Sequence, residues 1–270
     1  MPEGHTLHRL AKLHHQRFAG GPVRVSSPQG RFADGAALID GRTLTRAEAW
    51  GKHLLHHYDS GVTLHVHLGL YGKFTESAVP MPDPVGEVRM RLIGAGRKGE
   101  PYGTDLRGPT ACEILLAPEV DALTSRLGPD PLRRDADPDR AWSRISRSQR
   151  PLGALLMDQK VLAGVGNVYR AEVLFRHNIS PYRPGKSLTR PEWDAMWLDL
   201  VALMKTGVRR GLMHVVRPEH DHGAPSYAPD RPRTYVYRRA GDPCRLCGTT
   251  VAHAVMDARN LFWCPTCQPG

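Results

Sequence analysis

The chain changes its hydrophobic rhythm twice. From His5 to Phe18 the apolar residues Leu7, Leu10, Ala11, Leu13 and Phe18 recur at roughly helical spacing, and Ala19-Gly20-Gly21-Pro22 ends the run. The period then drops to two over residues 53–58 (HLLHHY), a DSG turn, 62–68 (VTLHVHL) and 88–93 (VRMRLI), where Val88, Met90 and Leu92 share one face. This alternation predicts an antiparallel sheet or sandwich. After the GPDP of 128–131 the pattern becomes helical. Thr189-Arg190-Pro191-Glu192 is a capping box with proline in the first turn, and Trp193, Met196, Trp197, Leu200, Val201 and Met204 follow on one face. Those aromatics read as core, not as a base-stacking platform. Residues 217–234, rich in proline, glycine and charge, read as a loop.

Length and charge narrow the picture. At 270 residues the chain suits one core domain with one or two smaller modules. No run of about 18 apolar residues is present, and the first residues lack an apolar leader core, so a cytoplasmic protein without a membrane span is expected. Thirty-seven Lys and Arg against 27 Asp and Glu give a formal charge of +10, which favours a polyanionic partner.

Four of the five cysteines fall in Cys244-x-x-Cys247 and Cys264-x-x-Cys267, sixteen residues apart, the spacing of a four-thiolate zinc site on a β-hairpin. Four protein ligands leave no open position, so such a zinc ion is structural, and function passes to side chains such as Arg259 between the knuckles. Cys112 stands apart as a small core residue. Leu162-Ala163-Gly164-Val165-Gly166-Asn167 precedes a helical stretch that Asn167 is placed to cap. Such a turn suits a phosphate at a helix start or a tight packing turn equally well. His65 and His67 share the face opposite Leu64 and Val66, as metal ligands or as a hydrogen-bonded polar face. At the other end, removal of Met1 would leave Pro2 with a free secondary amine, whose pKa of about 7.7–8.0 makes it nucleophilic near neutral pH. Glu3 follows as a proton carrier, and the helix start just beyond it disfavours protonation of the amine.

Taken together, PEGH at 2–5, GKHLL at 51–55, HLGLYG at 67–72, LMDQKVLAGVGNVYR at 156–170, CRLC at 244–247 and RNLFWCPTCQ at 259–268 resemble the formamidopyrimidine-DNA glycosylase and endonuclease VIII family over nearly the whole chain. The resemblance implies an α+β multidomain fold: an N-terminal antiparallel β-sandwich (1–127), a helical helix-two-turns-helix domain (128–220), a linker (221–234) and a zinc finger (235–270), with damaged DNA as partner. It implies that Pro2 attacks the sugar C1′ as Schiff-base nucleophile, with Glu3 as acid/base and Lys52 as proton donor during strand cleavage. Asn167 matches a phosphate-binding asparagine, Arg126 a DNA-contacting arginine, and Arg259 the finger arginine linked to δ-elimination. A base inside a duplex must be flipped out and the gap filled. The turn Gly69-Leu70-Tyr71 supplies a wedge, unless Leu70 packs on the core.

Within the family, Leu70-Tyr71 and the RNLFWC spacing look closer to endonuclease VIII and oxidised pyrimidines. Gly69 departs from a polar residue in some of those relatives, and Lys160 sits where the purine-directed branch often has a lysine. The alternatives are an oxidised-purine glycosylase and a non-catalytic damage-binding zinc protein. A monomer, associated with the nucleoid through DNA, is expected.

Overall fold

The computed structural model describes residues 2–96, 99–221 and 233–270, which divide into two units, 1–126 and 127–270.

The first unit opens with α1 (Gly4–Phe18), whose first turn closes with the Thr6 amide on the Glu3 carbonyl at 2.9 Å. Then follow β1 (Val23–Ser26), α2 (Ala33–Ile39), β2 (Leu44–Trp50), β3 (His53–Tyr58), β4 (Thr63–His67), β5 (Lys73–Ala78), β6 (Val88–Gly94), β7 (Tyr102–Arg107), β8 (Ala111–Leu115) and α3 (Ala117–Ser125). The strands form two antiparallel sheets, ordered β1-β6-β7-β5 and β2-β3-β4-β8. Val25, Met90, Leu92 and Leu106 from one sheet pack with Leu54, Leu64 and Val66 from the other in one core, the expected sandwich. Leu7, Ala11 and Phe18 insert one face of α1 into the same core. Inside it, His14 Nδ1 and His56 Nε2 lie 3.0 Å apart, joining α1 to β3, and burial pushes the His14 pKa down to about 3.

The alternating strands β3, β4 and β6 match the periodicity; β1 alternates too, over only four residues, while β5 and β8 and the helices α2 and α3 carry no such pattern. β1, β2, β5 and β8 are sheet edges; the outer edge of β1 is bonded by residues 40–42, Val25 N donating to Asp40 Oδ1 at 2.7 Å. β7 buries Asp105 inside the sheet, where Arg91 neutralises it through bonds of 2.7 and 2.9 Å.

The second unit holds α4 (Pro138–Ile145), α5 (Leu152–Leu155), α6 (Asn167–Arg176) and α7 (Arg190–Arg210), followed by the hairpin β9 (Ala252–Met256) and β10 (Arg259–Trp263). The capping box at Thr189 and Glu192 forms, and Gly211 ends α7 at φ 77°, a left-handed conformation that glycine adopts without a Cβ penalty. Trp193, Met196, Leu200 and Met204 of α7 are buried against Val165, Tyr169 and Val173. The hairpin shares a second core with α6 through Ala171, Phe175, Tyr235 and Phe262. Buried Glu172 fastens this seat by accepting the backbone amides of Tyr235, Val236 and Tyr237 at 2.7, 3.0 and 2.8 Å. Most of the expected linker lies outside the described residues; Pro218–His220 before it forms a single 3₁₀ turn.

Asp199 on α7 ties down the end of α6. Arg176 donates to both its oxygens at 2.7 Å, and His177 Nε2 lies 3.1 Å away. Burial alone would raise the Asp199 pKa, but the bonds from His177 and Arg176 outweigh it and hold it at about 2. Because the folded pKa lies below the ordinary value of 3.8, this stability is present above that value and lost as pH falls towards 2. Asp199→Asn should therefore cost about 2 kcal/mol near neutral pH, with the gap to wild type narrowing below about pH 4. Denaturant unfolding at several pH values checks this, and an unchanged gap at about pH 3 would contradict it.

Candidate active site and zinc centre

Glu3 is the N-cap position of α1, with extended backbone (φ −123°), and its side chain is completely buried. A buried carboxylate is retained only where hydrogen bonds or charge compensate its lost hydration. Pro2, half-buried, therefore sits directly ahead of a 15-residue helix that has no acidic residue in its first turn. The positive end of that helix faces the chain start.

Lys52 lies in the tight turn joining β2 and β3, next to Gly51 at φ 57°. Its charge disfavours protonation of His53 and His67, although burial is the larger cause of their lowered pKa values. Arg126, exposed at the end of α3, acts on His53 and His65 in the same way. Lys52 and Arg126, far apart in sequence, thus both bear on the charge of histidines on β3 and β4. His65 is part of a hydrogen-bonded polar face: its Nδ1 meets Glu113 Oε1 at 2.9 Å, and its Nε2 meets His53 Nδ1 at 2.9 Å. Sequence periodicity marked His65 and His67 but missed His53, which pairs with His67 across β3 and β4.

The turn after β4 projects Leu70 and Tyr71, 49% and 85% exposed, so Leu70 does not pack on the core. Both flanking glycines are required. Gly69 has φ 65°, and a Cβ there would lie 1.9 Å from Thr110 Oγ1; at Gly72 it would lie 2.2 Å from the Leu68 carbonyl.

In the second unit Asn167 does not cap α6. The helix starts one residue earlier than that role requires: Gly166 is the N-cap, Asn167 the first helical residue, and no side-chain cap bond forms. The Asn167 amide instead donates to the Asn260 carbonyl at 2.9 Å, and its Oδ1 accepts from Arg170. Buried Arg170 also donates to Asn260 O at 2.8 Å, so both side chains grip the residue after Arg259. Asp257 and Ala258, at φ 48° and 56°, form the two-residue hairpin turn, and Arg259 emerges exposed behind it. Arg150 steadies the turn through Asp257 at 3.4 Å. Arg170 was not marked by the sequence, because an arginine in a helix reads as solvent-facing until its burial is seen. Lys160 is exposed; its amide caps on Asp158 at 3.0 Å and its carbonyl accepts from Arg144.

The Sγ atoms of Cys244, Cys247, Cys264 and Cys267 all lie within 4.8 Å of one another, with Cys247 at 3.5 Å from both Cys264 and Cys267. Zinc–sulfur bonds of about 2.3 Å in a tetrahedron place sulfurs about 3.8 Å apart, so this donor set fits one Zn²⁺. Chelation, or Cys247→Ser, should release one zinc per chain and disorder the hairpin carrying Arg259, abolishing DNA cleavage while the β-sandwich keeps its strand signal. Metal analysis with circular dichroism checks this; a metal-free protein of full activity would contradict it.

Three family models cover the chain: the formamidopyrimidine-DNA glycosylase N-terminal domain (residues 1–112), the formamidopyrimidine-DNA glycosylase H2TH domain (127–217) and the zinc finger found in FPG and IleRS (241–270). Endonuclease 8 1 of Mycobacterium tuberculosis is 65% identical, with 99% of this chain and 100% of that protein covered. Formamidopyrimidine-DNA glycosylase of Thermus thermophilus is 33% identical over 86% of this chain and 85% of its own length. The crystal structure of the MutM (Fpg) protein from Thermus thermophilus superposes with a TM-score of 0.76 at 28% identity, over 99% of this chain and 98% of that one. The chain belongs to the formamidopyrimidine-DNA glycosylase and endonuclease VIII family of base-excision-repair DNA glycosylases with AP lyase activity, and its four finger cysteines bind one structural zinc ion.

Proposed function

We propose that the chain excises oxidised bases from DNA, pyrimidines in preference to purines, through a Schiff base on Pro2, and cuts the strand by β,δ-elimination. The observation that carries this reading is a fully buried Glu3 beside Pro2 at the start of α1. The Pro2 nitrogen attacks C1′ and the bond to the base breaks. The base leaves with a proton, the sugar ring opens, and an iminium links enzyme to sugar. Glu3 moves protons to and from the sugar at this stage. Elimination then releases the 3′ oxygen and afterwards the 5′ oxygen, with Lys52 as proton donor. Water finally frees the sugar remnant and restores the amine.

The start of α6 at Asn167, whose side chain is engaged with Asn260 and Arg170, and the guanidinium of Arg259 hold phosphates around the lesion, and Arg126 and Lys160 contact the strand. Arg259 suits phosphate because its guanidinium is exposed on a stem fixed by zinc and by Arg170. The pyrimidine preference rests on Leu70-Tyr71 and on the relative named endonuclease 8 1. Gly69 does not argue against it, since the turn with Thr110 leaves no room for a side chain there. Lys160 favours a second reading, an oxidised-purine glycosylase, because it is exposed and open to a strand. The protein acts as a monomer in the cytoplasm, at the nucleoid; no helix among the described residues is long and apolar enough to cross a membrane.

Duplexes carrying thymine glycol, dihydrouracil, 8-oxoguanine or an abasic site test this directly. Nicking of the pyrimidine lesions ahead of 8-oxoguanine, leaving phosphate at both ends of the gap, is expected. Preferred cutting at 8-oxoguanine would establish the purine reading, and binding without nicking would refute catalysis. Leu70→Ala should slow excision of a paired damaged base far more than cleavage at an abasic site, because it removes the wedge and leaves the nucleophile. Unstacking costs a few kcal/mol and least where the base is already missing. Equal slowing on both substrates would contradict the wedge.

A further inference from the structure

Two connections cross between the sheets of the first unit side by side. Residues 68–72 lead from β4 to β5, and residues 108–110 lead from β7 to β8. Because β4 pairs with β8 in one sheet and β5 with β7 in the other, the connections are neighbours at both ends. The first carries Leu70 and Tyr71. The Gly72 amide closes it on the Leu68 carbonyl at 2.9 Å, but Gly69 and Gly72 leave its backbone easily bent. The second is shorter and stiffer. Buried Pro109 has a fixed φ, and the Thr110 amide ties the end of the connection to the His67 carbonyl at 2.8 Å. Thr110 then fills the space beside Gly69: a Cβ on Gly69 would lie 1.9 Å from Thr110 Oγ1 and 3.2 Å from its Cβ. A Cβ on Gly108 would lie 3.5 Å from the Tyr71 carbonyl oxygen, so the two backbones run in contact.

We propose that Thr110 is a positioning residue: its side chain is the backstop that keeps Leu70 and Tyr71 projecting when they are pressed into a duplex. This rests on the reading of Leu70 as the wedge. Parting stacked bases meets resistance, and a turn hinged on two glycines takes up that load by folding back instead of opening the stack. Thr110 occupies the volume into which Gly69 would retreat. A β-branched side chain suits the task, because two heavy atoms on Cβ make it stiff about χ1. The backstop is itself held, by the buried proline before it and by the bond to His67.

The test compares single-turnover cutting of two duplexes by the full, zinc-loaded chain. One carries a paired damaged base, whichever of thymine glycol and 8-oxoguanine is cut faster, and the other an abasic site. Thr110→Ala should slow the paired-lesion duplex about tenfold, short of the roughly 100-fold that a misplacement of about 1 Å can cost, and the abasic duplex far less. Thr110 is exposed, so the melting temperature of this variant should match wild type. Thr110→Val keeps the branched shape without the hydroxyl and should restore the wild-type rate. Gly69→Asn probes the same space from the other side. Asparagine tolerates left-handed backbone, so the loss it causes on the paired lesion comes from collision with Thr110, and adding Thr110→Gly should recover part of that loss. Thr110→Ala cutting the paired lesion at the wild-type rate, or slowing both duplexes equally, would overturn the proposal. So would Thr110→Val as slow as Thr110→Ala, which would make the hydroxyl a DNA contact, or a double variant that recovers nothing. In each of these cases a selective loss in Leu70→Ala would leave the wedge reading standing. Leu70→Ala slowing both duplexes equally would overturn that reading and this one together.

Discussion

A carboxylate held out of water at the beginning of a helix is the constraint on which the first unit depends. Burying Glu3 is expensive unless the surrounding structure compensates it, so α1 must be docked firmly enough to impose that burial. Leu7, Ala11 and Phe18 dock it by apolar packing, and the His14–His56 contact adds a polar fastening inside the same core. Arg17 pairs with Glu76 near the far end of the helix and stacks its guanidinium 3.8 Å above the Tyr102 ring. With α1 fixed in this way, the residue ahead of Glu3 is placed at the positive end of the helix, where an amine stays unprotonated more readily.

The second unit solves a related problem by different means. A two-stranded hairpin is marginal in water, and β9–β10 is held by the four thiolates' metal, by the Phe175–Tyr235–Phe262 core and by the amides gathered on Glu172. Arg170 completes the anchoring from the inside. It reaches from α6 to the Asn260 carbonyl, so the helix start that bears Asn167 and the strand that bears Arg259 are joined by hydrogen bonds as well as by packing. Disturbing either element reaches the other through Arg170.

Much of this was legible in the residues, and what was not has physical reasons. β3, β4 and β6 advertise themselves because they alternate apolar and polar residues, and the zinc knuckles and the α7 capping box are visible because their spacing is fixed by local geometry. β5 carries mixed residues, KFTESA, so alternation does not reveal it, and β1 alternates over only four residues, too short a run to stand out. Asn167 looked like a helix cap because asparagine is a good one, but a partner 93 residues away in β10 takes its amide. Contacts of that range leave no local trace. The same holds for His53 and for Arg170, whose importance lies in burial and in partners from distant segments. The exposed tip at Leu70-Tyr71 was suggested by its glycines, yet the demand for Gly69 comes from Thr110, across the fold.

The account turns on which nitrogen attacks the sugar. Reaction with an abasic-site duplex in the presence of borohydride, followed by proteolysis and mass spectrometry of the trapped adduct, decides this directly. The account predicts the reduced sugar remnant on the nitrogen of Pro2 at a processed N-terminus, with no adduct when a tag ahead of Pro2 turns that nitrogen into an amide. A remnant on Lys52, or on an N-terminus that still carries Met1, would contradict it.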